Sequence, residues 1–321
     1  MSMPDFPDNP DDERYRFRLS LLAPSTWPTW LGLFVYFLIT LLPLSIVDRL
    51  GERLGRFVAS RNRKRFNIVC RNLSVCFPDR SEREIEKLAE RHFAMQLRSL
   101  MHYFMIWWRP RAYVQRHLDT DGMEKLLRAQ EEGRNIILLL AHSVGLEFAV
   151  SQITLDLPAV GIYKKLPNPV IEWLVVAGRR RFSHRFGSRI FNRDDGMRPI
   201  LRELRTGKAL IYLADEDLGE SRSVFAPMFG IPKASIPLLG RLAKLGKAAV
   251  FPCVSCYDEN EKKYTFHVLD AVDGLTGKDD VVDATLMNQA IERCVDLCPL
   301  QYLWTLRYFQ TRPEGDASIY D

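Results

Sequence analysis

A histidine and a glutamate five residues apart, His142 and Glu147, lie where a fully apolar run ends, in ILLLAHSVGLEF. An imidazole whose second nitrogen is held by a carboxylate is a competent general base, because the carboxylate fixes the tautomer and stabilises the imidazolium formed as a proton is taken. On one continuous helix, positions five apart point about 140° away from each other. The two side chains therefore converge only if His142 occupies a turn and Glu147 the helix after it. Ser143 and Gly145 permit such a turn. No Gly-x-Ser-x-Gly elbow surrounds Ser143, which reads as a cap and not as a nucleophile.

The remaining chemistry-bearing residue types are less eloquent. Cys253-x-x-Cys256 and Cys294-x-x-x-Cys298 have spacings that suggest zinc, but the first pair lies in VFPCVSCY, a strand-like run in which positions i and i+3 face opposite ways. The six cysteines are expected to be free thiols in a reducing compartment, and no metal or cofactor is expected. His92, His102, His117, His184 and His267 have no acid or cysteine at a ligand-like spacing and read as core or surface residues.

The elements that must position the pair follow from periodicity. Residues 81–108 begin with a serine cap and a glutamate three residues on, then repeat apolar residues at helical spacing and end in an aromatic cluster. Beyond them, apolar runs at 135–141, 158–163, 209–214 and 248–257 alternate with helical segments. This alternation predicts an α/β domain with a central mixed or largely parallel sheet flanked by helices. Strand-to-helix turns at the carboxyl ends of such sheets are where reacting groups are placed.

At 321 residues and 47% hydrophobic, the chain holds one large core. The run from Trp27 to Val47 has no charged residue and, as one helix, would span a hydrocarbon core of about 30 Å. An N-terminal transmembrane helix is therefore expected to precede the domain. Eight basic residues (Arg49, Arg53, Arg56, Arg61, Arg63, Lys64, Arg65 and Arg71) against Glu52 alone follow it, while five acids and three arginines precede it. The positive-inside tendency then puts the rest of the chain in the cytoplasm, as a single-pass protein of a bacterial inner membrane. The expected organisation is a tail at 1–26, the membrane helix at 27–47, a basic and amphipathic helical segment at 48–111 and an α/β domain at 112–321, with 48–321 folding as one unit. A net charge of +5 favours anionic surfaces, and no nucleic-acid partner is expected.

Several blocks in order give the chain a resemblance to the late lipid A acyltransferases. They are Trp27-Pro28-Thr29-Trp30-Leu31-Gly32, Arg71-Asn72-Leu73 with Cys76-Phe77-Pro78, His142-x4-Glu147, Phe225-Ala226-Pro227-x-Phe229, Gln301-Tyr302-Leu303-Trp304 and Thr311-Arg312-Pro313. The resemblance implies transfer of an acyl chain from acyl carrier protein to a hydroxyl on a Kdo-bearing lipid A precursor at a membrane. Arg179-Arg180-Arg181-Phe182, Arg193-x-Asp195-Gly196, Leu238-x-Gly240-Arg241-Leu242 and Leu306 look like the myristoyl-transferring branch. Glu147 and Phe225-Ala226-Pro227 look like the lauroyl-transferring one. The balance leans to myristoyl.

Carried over by this resemblance, His142 takes the hydroxyl proton, Glu147 orients the imidazole, and Arg179 stabilises an oxyanion, holds a phosphate or docks the carrier. Arg181 and Arg193 belong to the same basic, substrate-binding group. Asp215 and Asp217 occupy an Asp-Gln-Asp-x-Gly pattern in which this chain has Glu216 instead of an amide, and Lys164 and Asn168 stand where the family often has Tyr-Arg-x-x-x-Asn. These four are candidate substrate-binding residues. A thioesterase or other hydrolase using the same pair on water, and a catalytically silent lipid-binding protein, are the competing readings from other classes.

Overall fold

The computed structural model describes residues 16–183, 188–192 and 196–321. His184, Arg193 and Asp195 lie outside them. Four helices come first: α1 (Trp27–Thr40), α2 (Leu44–Arg61), α3 (Arg63–Cys76) and α4 (Glu82–His102). The start of α4 shows the expected capping box, the Ser81 amide donating to the Glu84 carboxylate at 2.9 Å. The short α5 (Phe104–Trp108) and α6 (Arg111–Arg116) lead into the sheet.

The expected membrane helix is not formed. α1 has 14 residues, about 21 Å of helix, against about 30 Å of hydrocarbon. It stops at Thr40, because Pro43 has no amide proton to continue a helix and disfavours helical backbone at Leu42. When the helix resumes at Leu44 it is a different one, and Asp48, Arg49, Glu52 and Arg53 follow within three turns. Among the described residues no helix is long and apolar enough to cross a membrane, so the single-pass inner-membrane placement with a cytoplasmic domain is overturned.

The α/β expectation holds. Strands β1 (Leu118–Asp121), β2 (Asn135–Leu140), β3 (Ala159–Tyr163), β4 (Arg189–Asn192), β5 (Ala209–Leu213), β8 (Ala248–Asp258) and β9 (Lys263–Val268) make one sheet in the order β1-β9-β8-β2-β5-β3-β4. All pairings are parallel except β8 with β9. β6 (Val224–Met228) and β7 (Ile231–Ser235) form a separate antiparallel hairpin. Between strands lie α7 (Met123–Glu131), α8 (Leu146–Asp156), α9 (Pro169–Ser183), α10 (Met197–Arg205), α11 (Leu239–Gly246) and, after β9, α12 (Asp280–Leu297). The central strand β2, buried along nearly its whole length, reads Asn-Ile-Ile-Leu-Leu-Leu, as a parallel strand covered on both faces must. One buried cluster runs from Phe66, Leu73 and Phe93 on α3 and α4 through Ile137 and Leu139 of β2 to Met287 and Ile291 of α12. α2 and α4 approach so closely that a Cβ on Gly55 would lie 2.4 Å from the Phe93 carbonyl oxygen.

The cysteines also depart from expectation. Cys256 at the end of β8 and Cys298 just after α12 form a disulfide, with Cα atoms 6.1 Å apart, while Cys70, Cys76, Cys253 and Cys294 are free. The local spacings compared neighbours within one element, whereas the bond joins one cysteine from each pair because α12 packs back on the sheet beside β8.

Candidate functional site

β2 and β5 run side by side in parallel, with Leu140 opposite Leu213. Each strand then continues through an alanine, so Leu140-Ala141-His142 and Leu213-Ala214-Asp215 leave the sheet in step. The register thus delivers a histidine and an aspartate to neighbouring positions at the carboxyl edge. The His142 amide donates to Asp215 Oδ2 at 2.8 Å, and the imidazole Nδ1 is hydrogen-bonded to Asp215 Oδ1. Asp215 is fully buried.

Burial alone would raise the Asp215 pKa, but the facing imidazole and the two hydrogen bonds outweigh it and hold the carboxyl below its ordinary range. An ionised carboxylate only accepts, so Nδ1 carries the proton and Nε2 keeps its lone pair. For His142, burial is the largest single influence and pulls the pKa down, as Lys233 does more weakly, but the charge and hydrogen bond of Asp215 together with the charge of Glu216 pull it up, and the net value is above that of an ordinary histidine. Glu216 Oε1 is 3.7 Å from Nε2, the open side of the ring. On the core side is Lys233 of β7, completely buried, its ammonium making one long bond of 3.3 Å to the Ala234 carbonyl. Burial lowers the Lys233 pKa, opposed by Asp215 and Asp217.

Glu147, in the first turn of α8, faces another way. Its carboxylate takes a two-pronged bond from Arg179 of α9, with Nε to Oε2 at 2.9 Å and Nη2 to Oε1. His142 does occupy the turn before the helix, as its pairing with Glu147 required, but the carboxylate on its Nδ1 is Asp215. The fork geometry of the Glu147–Arg179 pair fixes the guanidinium plane against the first turn of α8.

The other candidates are placed as follows. Asp217 accepts from the Thr311 amide at 2.6 Å and hydroxyl at 2.8 Å, and from the Gly219 amide at 3.0 Å. Asn168 caps α9 through the Val170 and Ile171 amides and donates to Thr29 of α1 at 2.9 Å. Arg181 donates to the Ile106 and Arg109 carbonyls, both at 2.8 Å, bolting α9 to the α5 region. Lys164 is exposed. In the sequence reading Glu216 counted only as a departure from a pattern, and Lys233 was passed over. A lysine in the apolar hairpin Ile231-Pro232-Lys233-Ala234-Ser235 was the available signal.

The His142 turn is held from outside the sheet by the segment after α12. Leu303 donates to the His142 carbonyl at 2.9 Å, Val144 donates to the Gln301 carbonyl at 2.8 Å, and Ser143 bridges Tyr302. Gln301 is itself clamped by two bonds to the Tyr257 backbone, at 2.8 and 2.9 Å. Asn72 of α3 donates to the Trp304 and Leu306 carbonyls, both at 2.7 Å, and the Phe77 and Trp304 rings meet edge to face at 5.8 Å. Sequence blocks that are far apart in the chain thus converge behind one turn.

The model of the bacterial lipid A biosynthesis acyltransferase family matches residues 14–311. The chain belongs to that family. Among similar proteins of this lipid A acyltransferase family are the lipid A biosynthesis lauroyltransferase of Escherichia coli K12, 33% identical over 95% of this chain and 98% of its own, and the lipid A biosynthesis myristoyltransferase of the same organism, 30% identical over 95% and 93%. A lipid A biosynthesis acyltransferase of Haemophilus influenzae is 32% identical over 95% and 94%. The chain is an acyltransferase of lipid A biosynthesis, and these near-equal identities leave its branch undivided.

Proposed function

We propose that this acyltransferase moves a fatty acyl chain from the thioester of acyl carrier protein to a hydroxyl of a Kdo-linked lipid A precursor, with His142 Nε2 as the general base. The observation that carries this reading is the Asp215 carboxylate, which holds the Nδ1 proton and leaves Nε2 open. The acceptor hydroxyl gives its proton to Nε2 as its oxygen attacks the thioester carbonyl. The tetrahedral oxyanion then collapses, the carbon–sulfur bond breaks, and the imidazolium returns the proton to the departing thiolate. Glu147 acts through Arg179, holding the guanidinium so that it can stabilise the oxyanion or a substrate phosphate. Leu306 and the Arg179-Arg180-Arg181-Phe182 block support myristoyl as the donor chain.

The membrane enters as a surface. On α1, Trp27, Leu31, Phe34, Leu38 and the following Leu41 recur at spacings of four and three and are exposed, Leu31 by 65%. The exposed Arg49, Arg53, Arg56 and Arg61 follow on α2. An apolar face beside a basic one suits a helix lying in the plane of an anionic lipid surface, where a lipid acceptor would be met.

The test is turnover of an acyl-carrier thioester by purified protein with and without lipid acceptor, followed by mass spectrometry of the product. Acceptor-dependent consumption that His142→Ala abolishes is expected, and the mass gained identifies the chain. Equal consumption without acceptor would make the protein a thioesterase.

A further inference from the structure

His142 lies between two carboxylates that differ in kind. Asp215 is buried, hydrogen-bonded to Nδ1 and to the backbone, and inseparable from the fold of the turn. Glu216 is the next residue, yet its side chain is 48% exposed, and Oε1 lies 3.7 Å from Nε2. That distance is too long for a hydrogen bond. It is short enough for charge to matter, and the nitrogen it faces is the one that must receive a proton. The other groups facing the pair are Lys233, buried behind Asp215, and the hydroxyls of Tyr302 and Tyr308, which burial keeps neutral.

We propose that Glu216 is a positioning residue of the reaction, which sets by its charge the pH range over which His142 is free to take the acceptor's proton. Resting on the reading of His142 as the base, this assigns a role to the one acid of the Asp215-Glu216-Asp217 run that makes no hydrogen bond to the backbone or side chains of the described residues. Asp215 binds the imidazole and Asp217 binds Thr311. A carboxylate at Nε2 favours the imidazolium. It therefore keeps the base protonated to higher pH, and it stabilises the imidazolium formed during transfer. Lys233 opposes it from a dry site where salt has little access. Glu216 faces solvent, so its influence is the one that ionic strength can tune.

The experiment is the pH profile of kcat/KM for wild type, Glu216→Asp, Glu216→Gln and Glu216→Lys, with an acyl-thioester donor and a lipid acceptor, and thermal unfolding as the control for folding. Neutral imidazole is the active form, so the acid limb reports its titration. Removing the negative charge should move that limb to lower pH by about half to one unit in Glu216→Gln, a three- to tenfold rise in the fraction of neutral imidazole below the limb, while the plateau above it falls because the imidazolium formed during transfer loses the same support. Glu216→Lys should move the limb further, and Glu216→Asp should keep it near wild type. Raising salt from about 0.05 M to about 0.5 M should shift the wild-type limb in the same direction and leave that of Glu216→Gln in place. A limb unmoved in active Glu216→Gln, or moved equally by Gln and Asp, overturns the proposal while leaving His142 as the base. Full turnover in His142→Ala would instead remove the base itself, and the proposal with it.

Discussion

Replacing Asp215 by asparagine separates the geometry found here from the pairing expected from spacing alone. The substitution keeps the shape of the side chain and the acceptor for the His142 amide, but removes the charge that faces the imidazolium in the transition state. At about 3 Å and an effective dielectric of about 20, that attraction is worth roughly 5 kcal/mol. An asparagine also offers an amide where the ring needs an acceptor, so the tautomer with Nε2 open is no longer enforced. Together these predict a fall in kcat of about 10³–10⁴-fold. The residual activity should have its acid limb at lower pH than wild type, because the carboxylate that raises the His142 pKa is gone. Glu147→Gln should also lower kcat, through looser placement of Arg179, but should leave the acid limb where it is, since Glu147 is paired with the guanidinium. The assay is single-turnover acyl transfer across pH with folding checked by circular dichroism. Near wild-type turnover in Asp215→Asn, or a larger limb shift in Glu147→Gln, would refute the assignment of Asp215 as the orienting carboxylate.

Other expectations follow from neighbouring features. A Cβ on Gly145 would lie 2.3 Å from the Ser255 carbonyl oxygen, so Gly145→Ala must displace the turn that carries His142. It should lower stability by about 1–3 kcal/mol and turnover with it, measured by denaturant unfolding and initial rates. The Cys256–Cys298 bond closes a 42-residue separation, and Cys298→Ser should lose up to about 4 kcal/mol of stability in urea titrations under oxidising conditions. His92 is buried, donates through Nδ1 to the Leu300 carbonyl, and has its pKa lowered to about 4. The unfolded chain takes up that proton near pH 6.5 and the folded one only near 4. Stability should therefore decline as pH falls between these values, by about 3 kcal/mol in all, and His92→Leu should flatten the decline. Replacing Leu31, Phe34 and Leu38 together by serine should cut binding to anionic vesicles while leaving the far-ultraviolet spectrum unchanged.

His142 was legible because its clues are local: an apolar strand, a small-residue turn and a helix start within twelve residues. Its partner was not, because Asp215 becomes a neighbour only through the β2–β5 register, a long-range fact that no spacing encodes. The repeated Leu-Ala before each residue hints at it once the strand order is known. Glu147 was placed on the right helix, but which side chain it meets depended on how α9 lies against α8. The charge-free stretch at 27–47 misled for a different reason. Composition recorded its apolarity, whereas Pro43 determined where the helix ends, and a break at that point turns one long span into a short helix and a charged one. The alternation of strands and helices, by contrast, is written in every segment, and the α/β class followed from it.

The anchoring of the His142 turn by residues 301–304 has a consequence for the order in which the enzyme comes into being. The strand and turn that carry His142 emerge from the ribosome long before Gln301 and Leu303, which supply the turn's backbone partners, and before Thr311, which secures Asp217. A nascent chain that has not reached residue 301 holds the strand before His142 without the partners of its turn. On the proposed reading of His142, activity is expected only once residues 301–311 dock across α3 and the sheet, because until then the turn lacks the backbone partners that hold it in register.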